Sequence, residues 1–175
     1  MQCDLQEDRA LLDLKTAIKD KFGGLDILVN CAGIILPGDI ESTTPQEFDS
    51  MTDINLRTPF ILMQIFRDDL QASRGCVINV SSDKGSRPEP GMISYCMSKA
   101  GLEMLTKSAA MELSPFGVRV NAVAPSFVDT NLYRNAGLSQ IEYDALKKRA
   151  AANIPMNAIS SPSQIAKAII FLTSE

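Results

Sequence analysis

Histidine is absent from the 175 residues, and so is tryptophan. Without histidine there can be no Ser-His-Asp triad, no Cys-His pair and no histidine-containing zinc set. Cysteine is scarce: Cys3, Cys31, Cys76 and Cys96 are the four, and none belongs to a CxxC pair. That spacing supports neither a metal site nor a disulfide framework, and unpaired thiols point to a reducing compartment, with the cytoplasm as the expected location. No apolar run is long enough to span a membrane, and the stretch from Gln2 to Arg9 is polar, unlike a signal peptide. Positive charge is in deficit, with 17 Lys and Arg against 21 Asp and Glu, a net charge of −4 and a sequence pI near 4.9. An acidic chain repels phosphate backbones, so nucleic acid is not an expected partner, and neither is a membrane. A GxSxG elbow and a GxxxxGK(S/T) phosphate loop are also missing.

The composition that remains, 45% apolar and 22% charged, is that of an ordinary globular protein, expected to form one domain over residues 1–175. Leu11, Leu14, Ile18 and Phe22 recur at helical spacing, and Gly23 stands where a helix end favours glycine. Leu25 to Val29, Cys76 to Val80 and Val118 to Ala122 are short apolar runs that predict buried strands. Thr44-Pro45-Gln46-Glu47 is a capping box opening a helix through Asn55, with a second helical stretch from Pro59 to about Leu70. A long helix is predicted from Ile93 to Leu113, another near Gln140 to Ala151, and a last one opened by the capping box Ser161-Pro162-Ser163-Gln164. Helices alternating with continuous apolar strands predict an α/β fold with a parallel sheet and right-handed crossovers. Ligands of such sheets bind beyond the carboxyl ends of the strands, here Asn30 to Gly33, Ser81-Ser82 and Ala124 to Thr130.

Tyr95 and Lys99 are four apart on the long helix, so phenol and ammonium project from one face. A cation held close favours phenolate, so the pair predicts a lowered tyrosine pKa and a group usable for proton transfer to or from an alcohol oxygen. The bland reading is a chance pair. Several spaced motifs raise it above that. Asn30-Cys31-Ala32-Gly33, Asp53-Ile54-Asn55-Leu56, Val-Ile-Asn-Val-Ser81-Ser82, Tyr95-x-x-Ser98-Lys99-Ala100 and Asn121-Ala122-Val123-Ala124-Pro125 occur in order. Together they resemble the classical short-chain dehydrogenase/reductase family, and within it the 3-oxoacyl-carrier-protein reductase-like group.

The resemblance implies a Rossmann-like, doubly wound parallel sheet. It also implies an NAD(P)-dependent oxidoreductase, using NAD or NADP, that interconverts a small-molecule carbonyl and a secondary alcohol. Carried over by position, Tyr95 is the proton donor and Lys99 steers its pKa and holds the nicotinamide ribose. Ser82, 13 residues before the tyrosine, binds the carbonyl, and Asn55, 40 before it, holds a proton-relay water. Asn55 also reads as a helix-bending polar residue, and Ser81 as a turn residue. Cofactor contacts are implied at Asp4 and Leu5, Asn30, Ala32 and Gly33, Tyr95 and Lys99, and Pro125, Val128 and Thr130. For Asp4 a helix N-cap is the competing reading. A homo-dimer or tetramer built on the Tyr95 helix and its predecessor is implied as well.

Against the family pattern, the Gly-rich turn that binds pyrophosphate is not found, Cys31 replaces an asparagine and Ser126 replaces a glycine. The resemblance therefore implies an incomplete sheet, truncated at the N-terminus and the C-terminus. Three strands would remain, with the Leu25–Val29 strand an exposed apolar edge. The alternative function is a catalytically silent chain that acts by pairing with a complete relative.

Overall fold

The structure, a computed structural model, describes residues 2–174. Three parallel strands, β1 (Ile27–Asn30), β2 (Cys76–Val80) and β3 (Arg119–Val123), pair in sequence order. Their registers align Asn30 with Asn79 and Ala122 with Asn79, so the carboxyl ends finish level. The result is an incomplete Rossmann-like α/β sheet, as expected, and the long crossovers that parallel pairing requires are helical.

Helix α1 (Asp8–Phe22) leads into β1 and ends at Gly23, whose φ of 83° is the left-handed geometry the sequence predicts. Leu11, Leu14 and Ile18 turn inward as expected, but Phe22 is 71% exposed. It lies in the last turn, past the reach of the sheet. Between β1 and β2 run α2 (Pro45–Thr52), a five-residue π-turn (Asp53–Arg57), α3 (Thr58–Ile65) and α4 (Arg67–Ser73). The predicted capping box forms: Thr44 accepts from the Glu47 N–H while Glu47 reaches back to the Thr44 N–H. The helix does not run unbroken through Asn55, because the backbone widens into the π-turn there.

Helix α5 (Ile93–Leu113) links β2 to β3 over the predicted range. Side chains alternate across a strand. Leu28, Val77 and Val120 therefore share one face, where they build the core with Leu11, Leu62, Met63, Phe66 and Leu70. Leu105 and Leu113 of α5 pack against the same cluster. After β3 come α6 (Leu132–Asn135), which the sequence reading did not anticipate, α7 (Gln140–Asn153) and α8 (Pro162–Thr173). Arg119 points away from the core cluster and donates to the carbonyls of Leu172, Thr173 and Ser174, fastening the α8 C-terminus to the opposite sheet face. Strand β1 is an edge among the described residues, with Ile27 44% and Val29 38% exposed. No described helix is long and apolar enough to cross a membrane.

Candidate active site

Beyond the carboxyl end of β2 the chain turns through Ser81 and Ser82 into a short 3-10 turn, Asp83–Gly85. Ser82 caps that turn, its hydroxyl accepting from the Lys84 N–H at 3.2 Å. Ser81 is more than a turn residue. Its buried hydroxyl donates towards the Lys99 carbonyl and Glu103, at 3.4 and 3.3 Å, and so ties β2 to the turn of α5 that carries the lysine.

On α5, Tyr95 and Lys99 are both buried, and the Lys99 Nζ lies 5.8 Å from the centre of the Tyr95 ring. The Ser82 hydroxyl is near enough to the phenol to pull its pKa down. Ser82, Tyr95 and Lys99 therefore meet, as the sequence spacing predicts. The expected direction of the tyrosine pKa does not hold: burial raises it above its ordinary value of 10, and Ser82 offsets this in part. The physical reason is where the ammonium points. Lys99 donates to the Val80 carbonyl at 2.8 Å rather than to the phenol. The same burial lowers Lys99 from 10.5 to about 8, opposed by Cys31.

Asn55 sits fully buried in the π-turn and clamps the backbone of Ile34 from both sides. Its Oδ1 accepts from the Ile34 N–H and its Nδ2 donates to the Ile34 carbonyl, each at 2.9 Å. The same Nδ2 reaches the Ser98 hydroxyl at 3.1 Å, and Ser98 donates to the Tyr95 carbonyl at 2.8 Å. π-turns inside helices are commonly found at functional positions. Here the turn swings an amide onto the loop after β1 and, through Ser98, onto the helix bearing Tyr95. The Asn55 side chain thus spends its donors on the protein rather than on a water. Gly33 is wedged between the same groups: a methyl there would stand 3.2 Å from the Asn55 Oδ1 and 3.6 Å from the Lys99 Nζ.

A cleft of about 420 Å³ opens beside Gly33, lined by Asp4, Leu5, Ala32 and Gly33 together with Ile34 and Ile54. Asp4 is not the cap of α1, which is Glu7; its carboxylate accepts from the Gln6 N–H in a local turn at the cleft rim. Four of the sequence-predicted cofactor residues therefore share one cavity, and one of them, Gly33, also neighbours the lysine. The Asn30 side chain does not join them. Its amide donates to Asn79 at 2.8 Å, and Asn79 donates to Thr106 at 2.8 Å, a buried ladder across β1, β2 and α5. Pro125 lies next to Ser82 through its carbonyl, which accepts from the Asp83 N–H. Val128 lies opposite Ser160 in a bridge whose hydrogen bonds are made by its neighbours Phe127 and Asp129, and the Thr130 carbonyl accepts from Tyr143.

Sequence reasoning quoted Ser98 and Asn79 within motifs but gave them no role, and it missed the α6 segment. Asn79 carried a signal, a polar residue inside an otherwise apolar strand. Chemically, the assembled groups offer a buried phenol, a serine hydroxyl beside it, an ammonium of low pKa and an adjoining cleft. Among the described residues, no cluster of three or more His, Cys, Asp or Glu could hold a metal ion.

A family model described as enoyl-(acyl carrier protein) reductase matches residues 1–175. An uncharacterized oxidoreductase of Thermotoga maritima is 36% identical over 169 residues, which is 96% of this chain and 66% of that protein. The 3-oxoacyl-(acyl-carrier-protein) reductase of Staphylococcus aureus is 37% identical over 167 residues, 93% of this chain and 65% of that protein. The crystal structure of a Caenorhabditis elegans short-chain dehydrogenase/reductase of unknown function, with cofactor, superposes with a TM-score of 0.90 at 29% identity. It covers 98% of this chain and 66% of its own. The chain thus spans just under two thirds of the length of these relatives.

Proposed function

Because the chain belongs to the short-chain dehydrogenase/reductase family, we propose that the protein is an NAD(P)-dependent oxidoreductase interconverting a carbonyl and a secondary alcohol, with Tyr95 as proton donor. The observation that carries this reading is the burial of Tyr95 and Lys99 on one helical face beside Ser82, at the carboxyl end of β2.

The cleft residues fit the near part of a dinucleotide. The Asp4 carboxylate is a hydrogen-bond acceptor, and the Ala32–Gly33 backbone lines the cavity without bulky side chains. Leu5 lines the cavity with them. A bound nicotinamide dinucleotide supplies the hydride. The remaining work is done by the chain's own side chains. Ser82 donates to the substrate oxygen and stabilises charge developing there. Tyr95, kept protonated by burial, delivers its proton to that oxygen. The phenolate left behind forms in a dry site, where burial disfavours it and Ser82 offsets this in part. Lys99, with a pKa of about 8, is poised to return a proton to it. Asn55 acts as a positioning residue that fixes the Ile34 loop and, through Ser98, the Tyr95 helix.

The test is calorimetric titration of NADH and NADPH into the protein, together with carbonyl reduction by wild type and Tyr95→Phe. The reading expects cofactor binding in both proteins and loss of reduction in the variant by roughly a hundredfold or more. Full activity of Tyr95→Phe would remove tyrosine from the mechanism, and no binding of either dinucleotide at millimolar concentration would remove the cofactor.

The protein is further proposed to be a cytoplasmic homo-oligomer. Met97, Met104 and Met111 recur every seven residues along the outer face of α5 and are more than half exposed, and Phe60 of α3 is 44% exposed. Such a stripe on neighbouring helices suits isologous packing of two copies. The same stripe also suits the second reading, a silent chain that pairs with a complete relative.

A further inference from the structure

After β3 the chain folds back over the Tyr95 side of the site, and an aromatic stack holds it there. The Phe127 and Tyr133 rings are 5.2 Å apart and nearly parallel, at 12°. Tyr143 of α7, which is buried, leans on the far side of Phe127 at 6.1 Å. Polar contacts lock that layer: the Tyr143 hydroxyl donates to Asp129 at 2.7 Å and to the Thr130 carbonyl at 3.0 Å, while Lys147 donates to Asp129 at 2.6 Å. The Arg134 guanidinium lies 4.8 Å from the centre of the Tyr143 ring. Tyr133 is therefore supported from behind by groups that have their own partners.

In front of it lies the reacting centre. Leu132 and Tyr133 of α6 and Ala136 just after it, with Met92, pack against the buried cluster that contains Tyr95. Apart from the Tyr133 hydroxyl, this wall is apolar. Of the cations around it, Lys84 is paired with Glu89 and Lys147 with Asp129, while Lys99 donates to the Val80 carbonyl and the exposed Arg134 lies over the Tyr143 ring. Every charge interaction felt by the two phenols disfavours their ionisation, and the carboxylates among these groups are Asp83 at Tyr95 and Glu89 and Asp83 at Tyr133. An anionic group brought to this side would thus meet apolar side chains and the Asp83 and Glu89 carboxylates, and no wall residue that packs on the Tyr95 cluster is a cation.

We infer that Tyr133 is a specificity-determining residue, and that the reacting carbonyl presents an uncharged apolar or planar group to α6 rather than a carboxylate. This rests on the oxidoreductase reading above and narrows its substrate class. Without a paired cation, a buried carboxylate is rejected strongly, whereas one methylene more or less on an apolar group is not.

The test compares two substrates of equal length, 4-phenyl-2-butanone and 4-phenyl-2-oxobutanoate, in the purified protein with NADH and with NADPH. The expected result is a kcat/KM for the ketone about 100-fold or more above that for the 2-oxo acid. Tyr133→Arg, which places a cation on the wall, is expected to narrow that ratio about tenfold or more by raising the 2-oxo acid value. Tyr133→Leu keeps the wall apolar and is expected to retain the ketone preference, which also controls for damage to α6. A wild-type preference for the 2-oxo acid, or a ratio unmoved in a Tyr133→Arg protein that still reduces the ketone, overturns the inference and leaves the oxidoreductase reading standing. Absence of turnover of either substrate with either dinucleotide overturns both.

Discussion

Lys99→Met tests the electrostatics of the site without any knowledge of the substrate. The lysine is 5% exposed, and burial lowers its pKa from 10.5 to about 8. At about 1.4 kcal/mol per pH unit, holding the ammonium inside the fold costs about 3 kcal/mol at pH 7. Below pH 8 both folded and unfolded chains keep the proton, so the cost is present in full. Between about 8 and 10.5 the unfolded chain binds a proton that the folded chain has released, so stability rises with pH. Above 10.5 both forms are neutral and the cost is gone. Methionine fills a similar volume without charge, so the variant lacks this titration. It also loses the bond to the Val80 carbonyl, which costs about 1–3 kcal/mol. The variant is therefore expected to be as stable as wild type at pH 7 or more stable by up to about 2 kcal/mol. Wild type should then gain about 2 kcal/mol on the variant between pH 7 and pH 9.5. Urea unfolding of both proteins at several pH values measures this, and groups common to both cancel in the difference. Parallel stability curves across that window would refute the claim that Lys99 is a buried, strained cation.

Asn55→Ala removes both clamps on Ile34 and the bond to Ser98 from a fully buried position. A loss of about 2–4 kcal/mol is expected, and a thermal-melt decrease below about 2 °C would contradict the clamp. Met104→Glu changes a 60% exposed residue, so unfolding free energy should stay within about 0.5 kcal/mol. Sedimentation should nonetheless show a smaller assembly than wild type, and identical sedimentation of the two would place the interface elsewhere. Lys99→Arg keeps the charge but cannot release a proton at working pH. A rapid-mixing assay should find the first turnover retained and later turnovers slowed by roughly tenfold or more, whereas equal slowing of all turnovers would deny the lysine a proton-return role.

Much of this architecture could be read from local patterns. The range Ile93–Leu113, the capping boxes at Thr44 and Ser161 and the glycine end at Gly23 are short-range signals, and local physics decides them. The meeting of Ser82, Tyr95 and Lys99 was legible because one helical turn and one strand end suffice to place all three. The π-turn at Asn55 was not legible: its cause is the Ile34 backbone, 21 residues away in sequence, and nothing in the local run announces that contact. Asn30 was read as a cofactor contact, but whether its amide faces the cleft or the core depends on a partner 49 residues on, Asn79. The clasp of Asp129, Tyr143 and Lys147 was hidden for the same reason, since it joins a loop to a helix that sequence alone leaves unoriented.

The direction of the tyrosine pKa is the most informative of these failures. A spacing argument treats the ammonium as an aid to ionising the phenol. In water the two groups have pKa values of 10 for tyrosine and 10.5 for lysine, so the phenol is the slightly stronger acid. A proton shared between them would then rest on the lysine. Burial disfavours whichever form is charged, and the two residues are charged in opposite protonation states. It therefore raises the phenol and lowers the ammonium, and the order reverses: Lys99 at about 8 becomes the stronger acid. Under the proposed mechanism, a phenolate formed by proton delivery to substrate would be refilled downhill from Lys99. What the fold contributes to the pair is thus dryness as much as spacing, and an exposed Tyr-x-x-x-Lys would lack the reversal.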